Sequence, residues 1–274
     1  MTAKLKVLDL FSGIGGFSLG LERSGGFETV AFCEIDPFCR RVLAKHWPDV
    51  PCYEDVRELT AEKLAADGIA VDVICGGFPC QDISIANVIG KGLEGWRSGL
   101  WFEYARLIGE VRPGHVIIEN VAELLNRGMG DVLGSLASIG YNAEWRVLRG
   151  IDVGLPFIGE RIWIVAAPKC AGWKGRFKYL RSLGIEEKTS AERRNAALGA
   201  RRALDSYLAR IREDYGLSVT MERRRLHALG NAVTPEVPKL IGKAILQAEG
   251  MRSTRPPVAD AVQAQTELPQ GYKR

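Results

Sequence analysis

Val71-Asp72-Val73-Ile74-Cys75-Gly76-Gly77-Phe78-Pro79-Cys80-Gln81 decides how this 274-residue chain is read. The apolar run Val71–Cys75 predicts a buried strand. Two glycines and a proline then break it and force a turn. Cys80 follows the proline directly, and Gly90, Gly92, Gly95 and Gly99 punctuate the loop behind it. This pattern presents a thiol at the carboxyl end of a strand, the edge where open α/β sheets bind ligands. Free cysteines are more often small buried hydrophobes than nucleophiles. The stretch alone leaves both readings open.

Upstream, Val7–Phe11 predicts a first strand, and Ser12-Gly13-Ile14-Gly15-Gly16 a glycine-rich turn into an amphipathic segment ending about Glu22. Such a turn lets backbone approach a ligand closely. The next strand, Thr29–Cys33, ends in Glu34-Ile35-Asp36. An acid about 20 residues after the turn is placed to bond ribose hydroxyls, so the pairing points to a nucleoside-containing cofactor. Asp36-Pro37 can open a helix through His46. Glu34 is therefore assigned to ribose and Asp36 to capping. Asp55 follows a short extended stretch, Pro51–Glu54, where a carboxylate could accept from an adenine amino group.

A helix is expected over Leu100–Val111, with Trp101, Tyr104, Ala105 and Ile108 on its core face. Val116-Ile117-Ile118 predicts a fifth strand running into Glu119-Asn120-Val121. A carboxyl at the end of so apolar a strand should have a raised pKa, suiting it to protonate or hold a ring nitrogen. Further strands are expected at Ala143–Leu148 and Arg161–Ala166. Alternating short strands and helices imply an α/β fold: a doubly wound, mostly parallel, seven-stranded sheet.

Charge separates the chain by region. Residues 169–225 hold 15 Lys/Arg against 7 Asp/Glu, a net of +8, whereas residues 1–168 hold 16 against 22, a net of −6. The basic segment ends in Arg223-Arg224-Arg225 and fits either a polyanion-binding face or a solvated helix surface. No apolar run approaches the roughly 20 residues of a membrane span. The start of the chain has no cleavage signal, so a cytoplasmic protein is expected. Six cysteines without a CxxC pair fit a reducing compartment, and three scattered histidines give no zinc-type spacing. No metal is expected. The expected domains are a catalytic domain over 1–168, a basic and largely helical lobe over 169–225, a returning segment over 226–250 with a helix at Glu236–Ala248, and a disordered tail over 251–274.

Taken together, DLFSGIGG (9–16), EID (34–36), EDV (54–56), GGFPCQDIS (76–84), ENV (119–121), GERIWIV (159–165) and GNAVTP (230–235) resemble the cytosine-5 DNA methyltransferases of bacterial or phage type. The resemblance implies a class I, Rossmann-like methyltransferase fold that binds S-adenosylmethionine at the strand ends. Phe11, Gly13, Gly15, Gly16, Glu34, Ile35, Asp55, Val56, Pro79, Leu100, Asn231 and Val233 would line the cofactor. Cys80 would be the nucleophile, Glu119 would hold N3 of cytosine, and Arg161 would contact the base. Gln81, Ser84 and Asn120 would face the DNA; the basic segment lies outside the resemblance, and Arg223–Arg225 are expected at the DNA on its charge alone.

The resemblance further implies double-stranded DNA as substrate, base flipping, a loop from Gln81 to Gly99 closing over the base, and a monomer with or without a companion restriction enzyme. One departure stands out. The family usually places Gln-x-Arg-x-Arg ahead of the last strand, and here Phe157-Ile158-Gly159-Glu160-Arg161 keeps only the final arginine. An RNA (tRNA) cytosine methyltransferase and a non-catalytic DNA- or partner-binding homologue are the rival readings. A nicotinamide oxidoreductase would share the glycine turn and Glu34, but has no use for FPCQ or ENV.

Overall fold

The computed structural model describes residues 3–79, 99–154, 159–169, 179–185 and 233–250, with isolated positions at 195, 198 and 199. Seven strands form one sheet: β1 (Leu5–Leu10), β2 (Phe27–Cys33), β3 (Cys52–Tyr53), β4 (Val73–Gly76), β5 (His115–Val121), β6 (Tyr141–Arg149) and β7 (Glu160–Pro168). Their spatial order is β3-β2-β1-β4-β5-β7-β6. The pairs from β3 to β5 are parallel, while β7 runs antiparallel to both β5 and β6. The expected mostly parallel, doubly wound sheet is what forms.

Helices cover both faces. Those in the described residues are α1 (Gly16–Arg23), α2 (Pro37–His46), α3 (Ala61–Ala66), α4 (Leu100–Val111), α5 (Met129–Ser138) and α6 (Glu236–Ala248). One face packs Leu8, Leu10, Ile74, Val116 and Ile118 against α3, α4 and α5, including the fully buried Tyr104 and Ile108. The other packs Val7, Val73, Ile117, Trp163 and Val165 against Phe17 and Leu21 of α1 and Ile241 and Ile245 of α6. Strands buried on both faces read as near-continuous apolar runs, as β4 and the Val116–Ile118 stretch of β5 do, and as β1 does apart from Asp9.

Three expected boundaries shift. Glu119 and Asn120 lie inside β5 rather than beyond it, because β7 pairs with the strand as far as Val121. β3 is only two residues long, an edge strand held by β2 alone. β6 extends to nine residues along β7. By contrast, α2, α4 and α6 occupy their expected spans. Asp36 caps α2 as expected, its Oδ1 accepting from Phe38 N at 2.7 Å.

The sheet order reverses between β1 and β4. The chain leaves β1 toward β2 on one side, and β4 lies on the other. Crevices at such a switch point, outside the carboxyl ends of the strands, are where these sheets bind ligands. Segment 179–185 packs beneath β6: Tyr179 and Leu180 are buried, Leu180 N donates to Glu144 at 2.8 Å, and Arg146 donates to the carbonyls of Leu180 and Ile185. Among the described residues no helix is long and apolar enough to cross a membrane.

Candidate active site

The glycine turn after β1 is built from unusual backbone. Phe11, Gly13 and Gly15 have φ of 53°, 55° and 85°, the left-handed region that glycine enters freely and phenylalanine rarely does. Two carboxylates brace this turn. Glu34, at the end of β2, accepts from Gly13 N through Oε2 and from Asp36 N through Oε1, both at 2.7 Å. Asp9, wholly buried in β1, accepts from the hydroxyl and backbone N–H of Ser18 at 2.7 and 3.3 Å. The N-cap of α1 is Gly15, which has no side chain to cap with, so Asp9 supplies the cap from beneath. Burial raises its pKa to about 7, against the lowering effect of the Ser18 bonds.

The C-terminal segment closes the turn from behind. A Cβ on Gly16 would lie 2.0 Å from the Val233 carbonyl oxygen, and one on Gly20 2.2 Å from that of Pro235. Only glycine lets the chain entering α6 approach α1 this closely. Phe11 also packs beside Tyr104, ring centroids 6.1 Å apart.

The second half of the site lies where β4 ends. Gly76 passes Leu10 so closely that a Cβ would sit 2.4 Å from its carbonyl oxygen. Gly77 runs beside Glu119, with space for a Cβ closed by Oε2 at 2.8 Å. Phe78 is buried against Trp101, and its carbonyl accepts from Asn120 Nδ2 at 2.9 Å. Asn120 thus holds the backbone immediately ahead of Pro79 and Cys80. Its Oδ1 accepts from Val121 N, so both ends of its amide are engaged by backbone.

Among the described residues, Glu119 is the ionisable group at this point that is largely buried and lies against the turn. Its side chain is 13 % exposed and meets Arg161 Nε at 2.9 Å. Burial pushes its pKa to about 7 although Arg161 pulls the other way. A carboxyl poised there can carry or release a proton near neutral pH. The expected raised pKa is what the structure gives, although the residue sits within a paired strand.

Among the other expected residues, Ile35 is 65 % exposed beside Glu34. Asp55 follows β3 and takes a bidentate contact from Arg57, with Nη2 to Oδ2 at 2.7 Å; these bonds lower its pKa. Val56 is 4 % exposed and its side chain packs in the core. Pro79 is exposed, Leu100 opens α4 and packs on the core, and Val233 abuts Gly16. Cys80, Gln81, Ser84, Arg223, Arg224, Arg225 and Asn231 lie outside the described residues, as do Phe157, the glycine-punctuated loop up to residue 98 and most of the basic segment. Sequence reasoning missed Asp9, Ser18, Trp47 and Arg57. Only Asp9 carried a signal, a lone acid inside an apolar strand.

The comparisons agree with this geometry. Residues 5–216 match the family model for C-5 cytosine-specific DNA methylase. The type II methyltransferase M2.BsuMI of Bacillus subtilis is 38 % identical over 60 % of this chain and 42 % of its own length. M.HhaI of Haemophilus parahaemolyticus is 34 % identical over 59 % of this chain and 48 % of its own length. The chain thus aligns with less than half the length of these two relatives. A solved structure of Spodoptera frugiperda DNMT2, a triple mutant, shares the fold with a TM-score of 0.53 at 22 % identity, covering 62 % of this chain and 52 % of that one. With the glycine turn, the Glu119–Arg161 pair and the β4 turn in their relative places, the chain belongs to the C-5 cytosine-specific DNA methylase family.

Proposed function

We propose that this protein methylates C5 of cytosine at a short site in double-stranded DNA, with S-adenosylmethionine as methyl donor and Cys80 as covalent nucleophile. The observation that carries this reading is Glu119: largely shielded from water, paired with Arg161 and set against Gly77, three residues before the cysteine. Family membership supports the same reading.

The crevice residues fit the cofactor. The Gly13–Gly16 turn leaves room for a ligand to approach backbone. Glu34 has two backbone donors, and a carboxylate has about four acceptor positions, so two remain for ribose hydroxyls. Ile35 offers an exposed aliphatic surface, and Asp55 an acceptor for an amino group. When bound, the cofactor supplies an electrophilic methyl on a sulfonium.

C5 of cytosine is a poor nucleophile. Addition of the Cys80 thiolate to C6 forms a C–S bond and pushes electron density toward C5, splitting one hard step into easier ones. Glu119 donates a proton or hydrogen bond to N3 and so stabilises the ring as that bond forms. Arg161 orients Glu119 and contacts the base. C5 then takes the methyl group as its bond to the sulfonium sulfur breaks, which would leave the thioether S-adenosylhomocysteine. Loss of the C5 proton and elimination of Cys80 restore the ring. The target sits inside a duplex, so it must be flipped out before Cys80 can reach it.

The basic segment 169–225 serves as the recognition lobe, its arginines supplying phosphate contacts that carry affinity without sequence information. The protein is read as a cytoplasmic monomer. Its type II relatives make a companion restriction enzyme one setting, and a lone modification enzyme the other.

Base-resolution bisulfite sequencing of DNA from a methylation-free host expressing the chain tests this. Methylcytosine at one short motif, lost in Cys80→Ala, is expected. Soluble protein that binds cofactor yet leaves DNA unmethylated would overturn the autonomous DNA enzyme.

A further inference from the structure

We propose that Trp47 is a positioning residue for the cofactor, its indole ring serving as the back wall that holds Gly15 in place. This rests on the cofactor reading above. Gly15 has φ 85°, and a Cβ there would meet the Trp47 ring at 2.6 and 2.7 Å and Leu43 Cδ2 at 3.1 Å. The ring therefore lies directly against the turn, and the glycine can neither carry a side chain nor move toward α2.

Trp47 is itself held. Its Nε1 donates to both oxygens of Glu22, at 3.2 and 3.1 Å, while Glu22 Oε1 also accepts from Thr29 N at 3.2 Å. Its ring stands edge-on to Phe32 of β2, centroids 5.3 Å apart at 64°. Its N–H closes the last turn of α2 on Leu43 O at 2.8 Å. One wall thus joins the end of α1, the strand β2 and the end of α2.

The consequence concerns α2 as a unit. Its first residue follows Asp36, whose N–H holds Glu34, the candidate ribose acceptor. Its C-cap is Trp47, which backs the glycine turn. Both ends of one rigid helix therefore bear on the two cofactor contacts and fix their spacing. A group acting this way changes cofactor affinity without touching the methyl, the base or Cys80.

The test measures S-adenosylmethionine and S-adenosylhomocysteine binding and steady-state methylation in purified variants. Trp47→Ala should raise the cofactor Kd and KM by about tenfold, a loss of roughly 1.4 kcal/mol. Turnover at saturating cofactor and KM for DNA should stay within about twofold of wild type, as expected when only ground-state cofactor binding is lost. Trp47→Phe keeps a ring against Gly15 but loses the Nε1 bonds to Glu22, and should weaken cofactor binding severalfold, less than Trp47→Ala. Gly15→Ala combined with Trp47→Ala should be less impaired than the product of the single effects, because the clash disappears with the ring.

Unchanged cofactor affinity in Trp47→Ala, or an equal loss in DNA binding and turnover, would overturn the inference. Should Trp47→Ala fail to fold, Glu22→Ala decides: a severalfold weaker cofactor Kd is expected, and an unchanged one contradicts the proposal. Wild-type protein that binds neither probe would instead overturn the cofactor reading beneath it.

Discussion

The two halves of the site treat their carboxylates in opposite ways. On the β1–β2 side, Glu34 meets two backbone N–H groups and Asp36 caps a helix. On the β4–β5 side, Glu119 is buried with Arg161 as its charged partner, and its pKa rises to about 7. Glu34 is engaged by backbone donors as an acceptor, whereas Glu119, desolvated beside a single cation, can carry a proton near neutral pH. The first environment suits binding and the second chemistry. Asp9 has the raised pKa without the access: it is wholly buried and serves the helix rather than a ligand.

Breaking the chemical half should have the largest effect. Glu119→Gln should lower kcat by about 10²–10⁴-fold, the range for a lost general acid, while cofactor binding is unchanged. A comparable loss of cofactor affinity would show that the halves are not separable. Wild-type kcat should fall as pH rises through about 7, because Glu119 then gives up its proton. Arg161→Ala should move that limb upward, since Arg161 is the group that lowers the Glu119 pKa.

Breaking the binding half should give the next largest effect. Gly16→Ala drives a Cβ into the Val233 carbonyl, so the segment entering α6 must shift. A destabilisation of at least about 1–3 kcal/mol is expected, with weaker cofactor binding, measured by thermal melts and calorimetry.

Two smaller effects sharpen the contrast. Asp9 and Glu119 bind protons more tightly in the folded chain than at their ordinary values of 3.8 and 4.5. Their contribution to stability is therefore complete below about pH 4 and is lost as pH rises to about 7. Asp9→Asn and Glu119→Gln should each flatten that part of the stability profile in denaturant titrations. The reverse slope would mean that the folded state prefers both groups charged. Arg57→Ala removes an ion pair whose arginine is exposed to solvent and should leave the melting temperature nearly unchanged.

Much of this was legible because the fold writes itself into apolar runs. β1, β4 and β5 are buried on both faces and cannot hide in the sequence. Asp36-Pro37 announced its own helix, and the helix at Glu236–Ala248 was expected directly after Pro235. Glu119 was foreseen as a raised acid, yet it and its polar neighbour Asn120 made β5 look finished three residues too early. The antiparallel partner β7, distant in sequence, carries the strand onward. Trp47 and Glu22 meet across 25 residues, and Arg57 reaches back to Asp55 by its rotamer. Such contacts belong to tertiary packing, and no local period encodes them.

Covalent capture tests the central claim most directly. The chain is incubated with S-adenosylmethionine and a duplex whose target cytosine is 5-fluorocytosine, beside Cys80→Ala, and the products are resolved by denaturing gel and mass spectrometry. Fluorine at C5 blocks the final proton loss, so a thiolate that has added cannot leave. The account predicts a one-to-one protein–DNA adduct carrying the transferred methyl, mapped to Cys80 and absent in the variant. Methylation of ordinary duplex without any trapped adduct, or an adduct that persists in Cys80→Ala, would contradict it.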